Sequence, residues 1–305
     1  MNGVIIIDKP AGLTSHDVVN RGRRILGQRS VGHLGTLDPL ATGVLPLVIG
    51  SLTRLAQFYT HSEKTYEGTI RFGFSTDTYD AAGEATSAEQ AVVLQHEVIS
   101  ELAARFQGVI EQTPPPFSAK KIQGVPAYKL ARKKQEVVLK SVQVEIKEFA
   151  ILGVEGDRAE FRARVASGTY MRSVAHEMGQ LLGCGAHLEC LRRTSVAEFR
   201  LNDALTLEQV DLLVRQGSEE QIFVHPRKLL PELPSVTADE ISAARIRSGQ
   251  SVNLPDLSRA RQIKVFSGQK DLIAIATRVA GTLFHPKIVL VTEPARQPAG
   301  NSQSR

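Results

Sequence analysis

An α+β fold with a second, smaller and mostly β unit is what this 305-residue sequence predicts, and three observations predict it. Thr65 to Phe72 alternates strictly, with Tyr66, Gly68, Ile70 and Phe72 on one face and Glu67, Thr69 and Arg71 on the other, as a strand buried on one side requires. Helical spacing opened by capping boxes, Thr14 with Asp17 and Thr206 with Gln209, recurs among such strands. A composition shift over Gln216 to Pro226 precedes one helix and several short strands, which read as the smaller unit.

Taken in order, Val4 to Ile7 is a β-branched run ended by the turn Asp8-Lys9-Pro10-Ala11-Gly12. The capped segment to Leu26 carries Val18, Val19, Ile25 and Leu26 on one helical face. Val44 to Ile49 reads as a buried strand, and Leu52 to Tyr59 as a helix with Leu52, Leu55, Ala56 and Tyr59 on one side. Residues 75 to 96 are polar. Glu97 to Phe106 is helical by the spacing of Val98, Leu102 and Phe106, and Gly108 stops it. From Gln112 to Gln135 a proline triplet excludes regular structure before a basic, aromatic-bearing end, so this stretch reads as an excursion from the core.

Strand patterns resume at Val142, Val144 and Ile146 and at Phe161, Ala163 and Val165, which should pair in one sheet. A helix with Val174, Met178, Leu181 and Leu182 follows, closed by Gly183. Beyond the composition shift come a helix over Ala238 to Arg247 and strands at 262–266, 272–277 and 287–291. The tail 294–305 has no apolar residue except alanine and reads as disordered.

A content of 42% hydrophobic and 23% charged residues is ordinary for a globular protein with a sizeable core. No apolar run reaches the length of a membrane span and no signal peptide is evident, so a cytoplasmic protein is expected. Cys184 and Cys190 are too few for a disulfide framework. With His187 between them they could suggest zinc, but no second ligand pair lies near, so buried thiols are expected and a metal is not. The net charge of +5 is modest, yet basic clusters at Arg21, Arg23 and Arg24, at Lys120 and Lys121, at Lys129 with Arg132 to Lys134, and at Arg192 with Arg193 together favour RNA as a partner.

The residues richest in chemical meaning are Gly32 to Gly43, GHLGTLDPLATG. Asp38 stands there without a second acid; Pro39 keeps it out of the helical region, and the glycines allow turns and close approaches. An Asp-Pro pair often does no more than start a turn. Here the loop resembles the catalytic motif of the bacterial tRNA pseudouridine-55 synthase family (TruB) at Gly32, His33, Gly35, Leu37, Asp38, Pro39, Ala41, Thr42 and Gly43. The chain is also similar to that family at Asp8-Lys9-Pro10, Lys64-x-Tyr66, Thr76-Asp77-Thr78-x-Asp80, PPPFSAKK-x-x-G, Ser167-Gly168-Thr169-Tyr170-x-Arg172, Gly185 to Leu188 and Leu191-Arg192-Arg193.

The resemblance implies a mixed, largely antiparallel central sheet with flanking helices over residues 1–225, the pseudouridine synthase fold, with an RNA-clamping insertion at about 112–135. It implies a PUA-like RNA-binding domain over 226–293. The implied reaction turns uridine into pseudouridine in the TΨC arm of tRNA on a flipped-out nucleotide; being redox neutral and taking up no water, it needs no cofactor. Asp38 is then the essential residue, as nucleophile or as base. Arg172 pairs with it and is expected to lower its pKa, and Tyr66 stacks on the target base. His33, Lys9, Asp80, Tyr170, Leu191, Lys121 and Arg132 are implied substrate or RNA contacts. Arg54 departs from a lysine found in many relatives.

Three other readings compete. In one the protein binds or folds tRNA without catalysis, which the intact set Asp38, Tyr66 and Arg172 argues against. In another it is the guide-RNA-dependent subunit of archaeal and eukaryotic complexes; the PLATG form of the loop and the proline-rich segment favour instead the stand-alone bacterial branch, expected to act as a monomer with no protein partner. A His33/Asp38 metal hydrolase lacks further ligands at sensible spacing.

Overall fold

The computed structural model describes residues 1–118, 120–122, 124–127, 130, 139–255 and 259–290, with only the backbone of 121, 122 and 126. In chain order the strands are β1 (Gly3–Lys9), β2 (Val31–His33), β3 (Thr42–Ile49), β4 (Lys64–Phe72), β5 (Gly108–Gln112), β6 (Lys121–Ile122), β7 (Val125–Pro126), β8 (Val142–Glu155), β9 (Arg158–Val165), β10 (Ala186–Val196) and β11 (Phe199–Arg200). A second group follows: β12 (Ser235–Ala238), β13 (Val252–Asn253), β14 (Gln262–Ser267), β15 (Asp271–Ala280) and β16 (Leu283–Val289). The helices are α1 (Ser15–Leu26), α2 (His96–Ala104), α3 (Met171–Leu182), α4 (Leu207–Arg215) and α5 (Glu240–Arg247).

The main sheet runs β1-β3-β10-β4-β9-β8-β5, with β2 added to β3 and β11 to β10. Neighbours are antiparallel apart from β3 and β10, which meet in parallel at Arg192 opposite Thr42 and Arg193 opposite Gly43. The mixed, largely antiparallel sheet is thus what the resemblance implied. The second sheet, β12-β14-β15-β16-β13, is smaller and again has one parallel pair, β12 with β14.

Local chemistry explains most element boundaries. Thr14 and Thr206 both close reciprocal capping boxes, with Asp17 and Gln209 respectively. Gly27 and Gly183 end α1 and α3 in the left-handed conformation. On β4 the expected alternation buries Tyr66, Ile70 and Phe72.

Several expectations are corrected. Residues Gly50–Tyr59 form a 3-10 helix rather than an α-helix. The buried face of α2 and the turn after it is Ile99, Leu102, Ala103 and Phe106, with Val98 turned out, because the helix lies on β8 by its i, i+3, i+4 stripe. Likewise Leu181 is half exposed while Val174, Ala175 and Met178 are buried. The last strand is Leu283–Val289, earlier than expected, and Pro286 within it pairs with Ala276 beside a register shift in the ladder. The largest omission is β10: its polar run AHLECLRRTS hides a central strand in which a bulge after Leu188 puts the buried His187 on the Arg71 face of the sheet and the buried Arg193 on the Tyr66 face. The tail 294–305 lies outside the described residues.

One apolar cluster joins the two sheets. Val4, Ile6, Val44 and Val48 from β1 and β3 pack with Leu229, Leu230, Phe266, Ile275 and Ile288. Tyr59 donates to Glu198 at 2.6 Å and the Leu230 N–H donates to the same carboxylate at 2.9 Å, so polar contacts reinforce the apolar ones. Arg54, the departure noted above, donates to the Val289 carbonyl at 2.7 Å and adds to that junction.

Candidate active site

The Asp38 loop leaves the sheet at β2 and returns to it at β3, and its backbone is held from every side. Ser15, the first residue of α1, donates its hydroxyl to the Leu37 carbonyl at 3.0 Å and accepts from the Leu37 N–H at 2.8 Å. The Gly12 N–H donates to the Pro39 carbonyl, and the Ala41 N–H donates to that of Asp38. Beneath lies Arg193, fully buried, donating to the carbonyls of Val44 (2.8 Å), Thr36 (3.2 Å) and Gly35 (3.0 Å). Gly43 makes this approach possible, since a Cβ there would stand 2.3 Å from the Arg193 carbonyl oxygen and its φ is +97°.

The loop presents Asp38 to a cavity of about 280 Å³ that is also lined by Lys64, Tyr66, Ser118, Tyr170, Arg172 and Leu191. Arg172, on the first turn of α3, brings Nε within 2.9 Å of Asp38 Oδ2; the contact is an ion pair without an aligned N–H. Its other nitrogens donate to the Thr78 carbonyl (3.1 Å) and the Phe117 carbonyl (3.0 Å). Asp80 approaches the same guanidinium at 3.6 Å and accepts from the Thr78 hydroxyl and the Ala82 N–H. The arginine is thereby fixed by two long loops as well as by its helix.

Arg172 lowers the Asp38 pKa as expected, but burial outweighs it and the net shift is upward. The Asp38 side chain is 38% exposed toward the cavity, but the surrounding protein excludes enough water to push the carboxyl above its ordinary value; Arg172 opposes this, Asp80 reinforces it, and Lys9 opposes it weakly. Burial wins because the guanidinium is shared between two carboxylates and two carbonyls.

The sequence-derived residues divide into three groups. Asp38, Tyr66, Arg172, Tyr170 and Leu191 meet around the cavity. Tyr170 is clasped by Gln112, whose amide oxygen accepts its N–H at 2.8 Å and whose amide donates to its carbonyl. Lys9, Asp80 and His33 stand behind or beside it. Lys9 is buried and donates to the carbonyls of Pro10, Leu13 and Pro39, with its pKa brought down to about 8, chiefly by burial, so it props the loop from within. His33 is half-buried on β2, its Nδ1 without a hydrogen-bond partner, and burial lowers its pKa. Lys121 lies in the β6–β7 hairpin, and Arg132 falls outside the described residues.

Sequence reasoning missed three residues. Arg193 was grouped with surface bases; with β10 unrecognised, nothing pointed it inward. Lys64 shares the inward face of β4 with Tyr66 by strict alternation, a signal that was available. Ser118 is almost wholly buried with its hydroxyl toward the Tyr170 side chain, and only the fold brings it to the cavity. Cys184 is half-buried and Cys190 exposed, against the expectation of buried thiols, and among the described residues no group of three or more His, Cys, Asp or Glu is placed to hold a metal ion.

Comparison with known proteins bears directly on this arrangement. The N-terminal domain of TruB family pseudouridylate synthases matches residues 23–171, and the tRNA pseudouridylate synthase B C-terminal domain matches 172–233. A tRNA pseudouridine synthase B of Solibacter usitatus is 51% identical over 293 residues, 95% of this chain and all of that protein. The chain belongs to the TruB family. Its relative of the same name in Bacillus cereus is 37% identical across 99% of both chains. A chain of an H/ACA ribonucleoprotein bound to a substrate RNA containing 2′-deoxyuridine superposes with a TM-score of 0.69 over 95% of this chain and 85% of its own, at 23% identity, a likeness of fold. The TruB N-terminal match takes in the Asp38 loop, Tyr66 and the proline-rich segment, while Arg172 opens the second match. Among the described residues no helix is long and apolar enough to cross a membrane.

Proposed function

We infer that this TruB-family chain is a tRNA pseudouridine synthase, and that its target is uridine 55 of the TΨC arm. The observation that carries the reading is Asp38: a carboxylate opening onto a cavity, paired with Arg172 at 2.9 Å and lined on the same side by Tyr66. Isomerisation breaks the N1–C1′ bond, makes a C5–C1′ bond, removes the C5 proton and leaves a proton on N1, so the atoms balance within the nucleotide. A carboxylate whose pKa is raised is a stronger base and nucleophile than a solvated one, which suits Asp38 to attack or to proton removal. Arg172 orients it, and the Tyr66 ring offers a face for the base.

A uridine inside a folded arm must first be extruded, at a cost of a few kcal/mol. The cavity walls supply contacts that offset this. The 112–135 segment and the C-terminal sheet unit serve as the RNA grip, through contacts to phosphate and to shape; residues 1–225 form the catalytic domain and 226–293 the second RNA-binding domain. The site of action is the cytoplasm, where tRNA is matured.

Tritium release from tRNA labelled at uridine C5 tests the reading. The unaltered chain should release tritium without added guide RNA, and Asp38→Asn should release none while binding tRNA within about threefold of the parent, since a change confined to the reacting group spares uniform binding. Absence of release by the unaltered chain would sink the proposal.

A further inference from the structure

Lys64 sits in the cavity wall with its charge uncompensated. The neighbouring Glu63 is engaged by Lys147 and by Arg164 at 3.5 Å, whereas no carboxylate lies within 4 Å of Lys64 among the described residues. Its ammonium donates to one carbonyl, that of Ser62 at 2.9 Å, and an ammonium has three donors. A second cation is close. Lys64 and Arg193 converge over Gly35, where a Cβ would stand 3.3 Å from Lys64 Cε and 3.6 Å from Arg193 Nη1. Arg193 donates to three backbone carbonyls, also meets the Tyr66 hydroxyl, and is closed to solvent; Lys64 is half-buried and faces the cavity. Two cations crowded together at low dielectric repel each other unless an anion joins them. Burial and Arg193 accordingly bring the Lys64 pKa down to about 8.

We propose that Lys64 binds a backbone phosphate of the nucleotide seated in this cavity. The inference rests on the reading of the site as a nucleotide-isomerising centre. Such a nucleotide arrives with its phosphodiester, and the cavity offers that anion a lysine with two free donors on the same face of β4 as Tyr66. Lys64 is therefore a binding residue whose contribution falls on substrate affinity, while Asp38 answers for the chemistry. Its spacing from Tyr66, two residues along one strand, would fix the phosphate relative to the base.

The experiment compares the unaltered chain, Lys64→Gln and Lys64→Arg, measuring tRNA affinity across a salt series and single-turnover rates at saturating tRNA. Loss of one phosphate contact should reduce the slope of log Kd against log salt by about 1 and weaken binding at moderate salt by roughly 5- to 30-fold, uniformly across tRNA sequences. Lys64→Arg should restore both, and the saturated rate should stay within about threefold of the parent, as removal of uniform binding predicts. Unchanged slope and affinity in Lys64→Gln, or a collapsed rate with unchanged affinity, would overturn the assignment. If the unaltered chain forms no pseudouridine, the functional reading fails instead; the slope comparison still reports on Lys64 by itself. Thermal unfolding of both variants near the parental temperature shows that neither result stems from a damaged fold.

Discussion

Two buried arginines serve one carboxylate, and they do so in opposite ways. Arg193 belongs to the floor of the site: it lies on β10, is closed to solvent, and holds the Asp38 loop through three backbone carbonyls. Arg172 belongs to the wall: it touches the carboxylate itself and is steadied by Thr78 and Phe117, which lie in separate long loops. The floor is thus coupled to folding, because its partners are chiefly strand and loop backbone, with the Tyr66 side chain beside them. The wall is coupled to the proposed chemistry, because its partner is the carboxylate to which the reacting role is assigned. A charge can be essential to an active site without facing substrate, and its donors reveal which kind it is.

The sharpest way to break this contrast is at the floor. Gly43→Ala would put a methyl group 2.3 Å from the Arg193 carbonyl at a φ of +97°, and the strain should cost at least about 3 kcal/mol, read as a lowered urea midpoint with unchanged m. Arg193→Met leaves three carbonyls without their donor and should destabilise by about 3 to 5 kcal/mol by the same measurement. If either variant kept parental stability and lost only activity, the floor would have been misassigned.

At the wall the balance should reverse. Arg172→Lys keeps the charge but not the fork that spans Asp38, Thr78 and Phe117, so the saturated rate should fall on the order of 10²-fold. Its unfolding free energy should change by about 1 kcal/mol. A loss of stability matching that of Arg193→Met would erase the distinction.

The smallest expected effect concerns pH. With Asp38 acting as the anion, as proposed, and its pKa above the ordinary carboxylate value, activity should be full above that raised pKa and decline as pH falls through it. Asp80 contributes to the raising as a like charge. Asp80→Asn should therefore move the acid limb of the kcat/KM profile to lower pH, and a move in the other direction would show that Asp80 acts mainly by holding Arg172.

The strands and helices with simple periodicity were legible without coordinates. Strict alternation marked β4, and the two capping boxes marked the starts of α1 and α4, because these signals are local. β10 was not legible: its place between β3 and β4 buries polar residues that alternation treats as exposed, and their partners come from distant segments, the Phe74 carbonyl for His187 and the Val44, Thr36 and Gly35 carbonyls for Arg193. The same blindness turned Arg193 from a loop anchor into a member of a surface cluster.

The sequence by itself singled out Asp38 as the candidate residue and determined which family the chain resembles, since Asp38 and its glycine and proline neighbours form a contiguous motif whose backbone geometry is set locally. Tertiary structure alone decided the direction of the Asp38 pKa, the supporting role of Lys9, and the convergence of Lys64 with Arg193 over Gly35. Those properties depend on how much water is excluded and which charges meet across distant segments, and chain order does not record either.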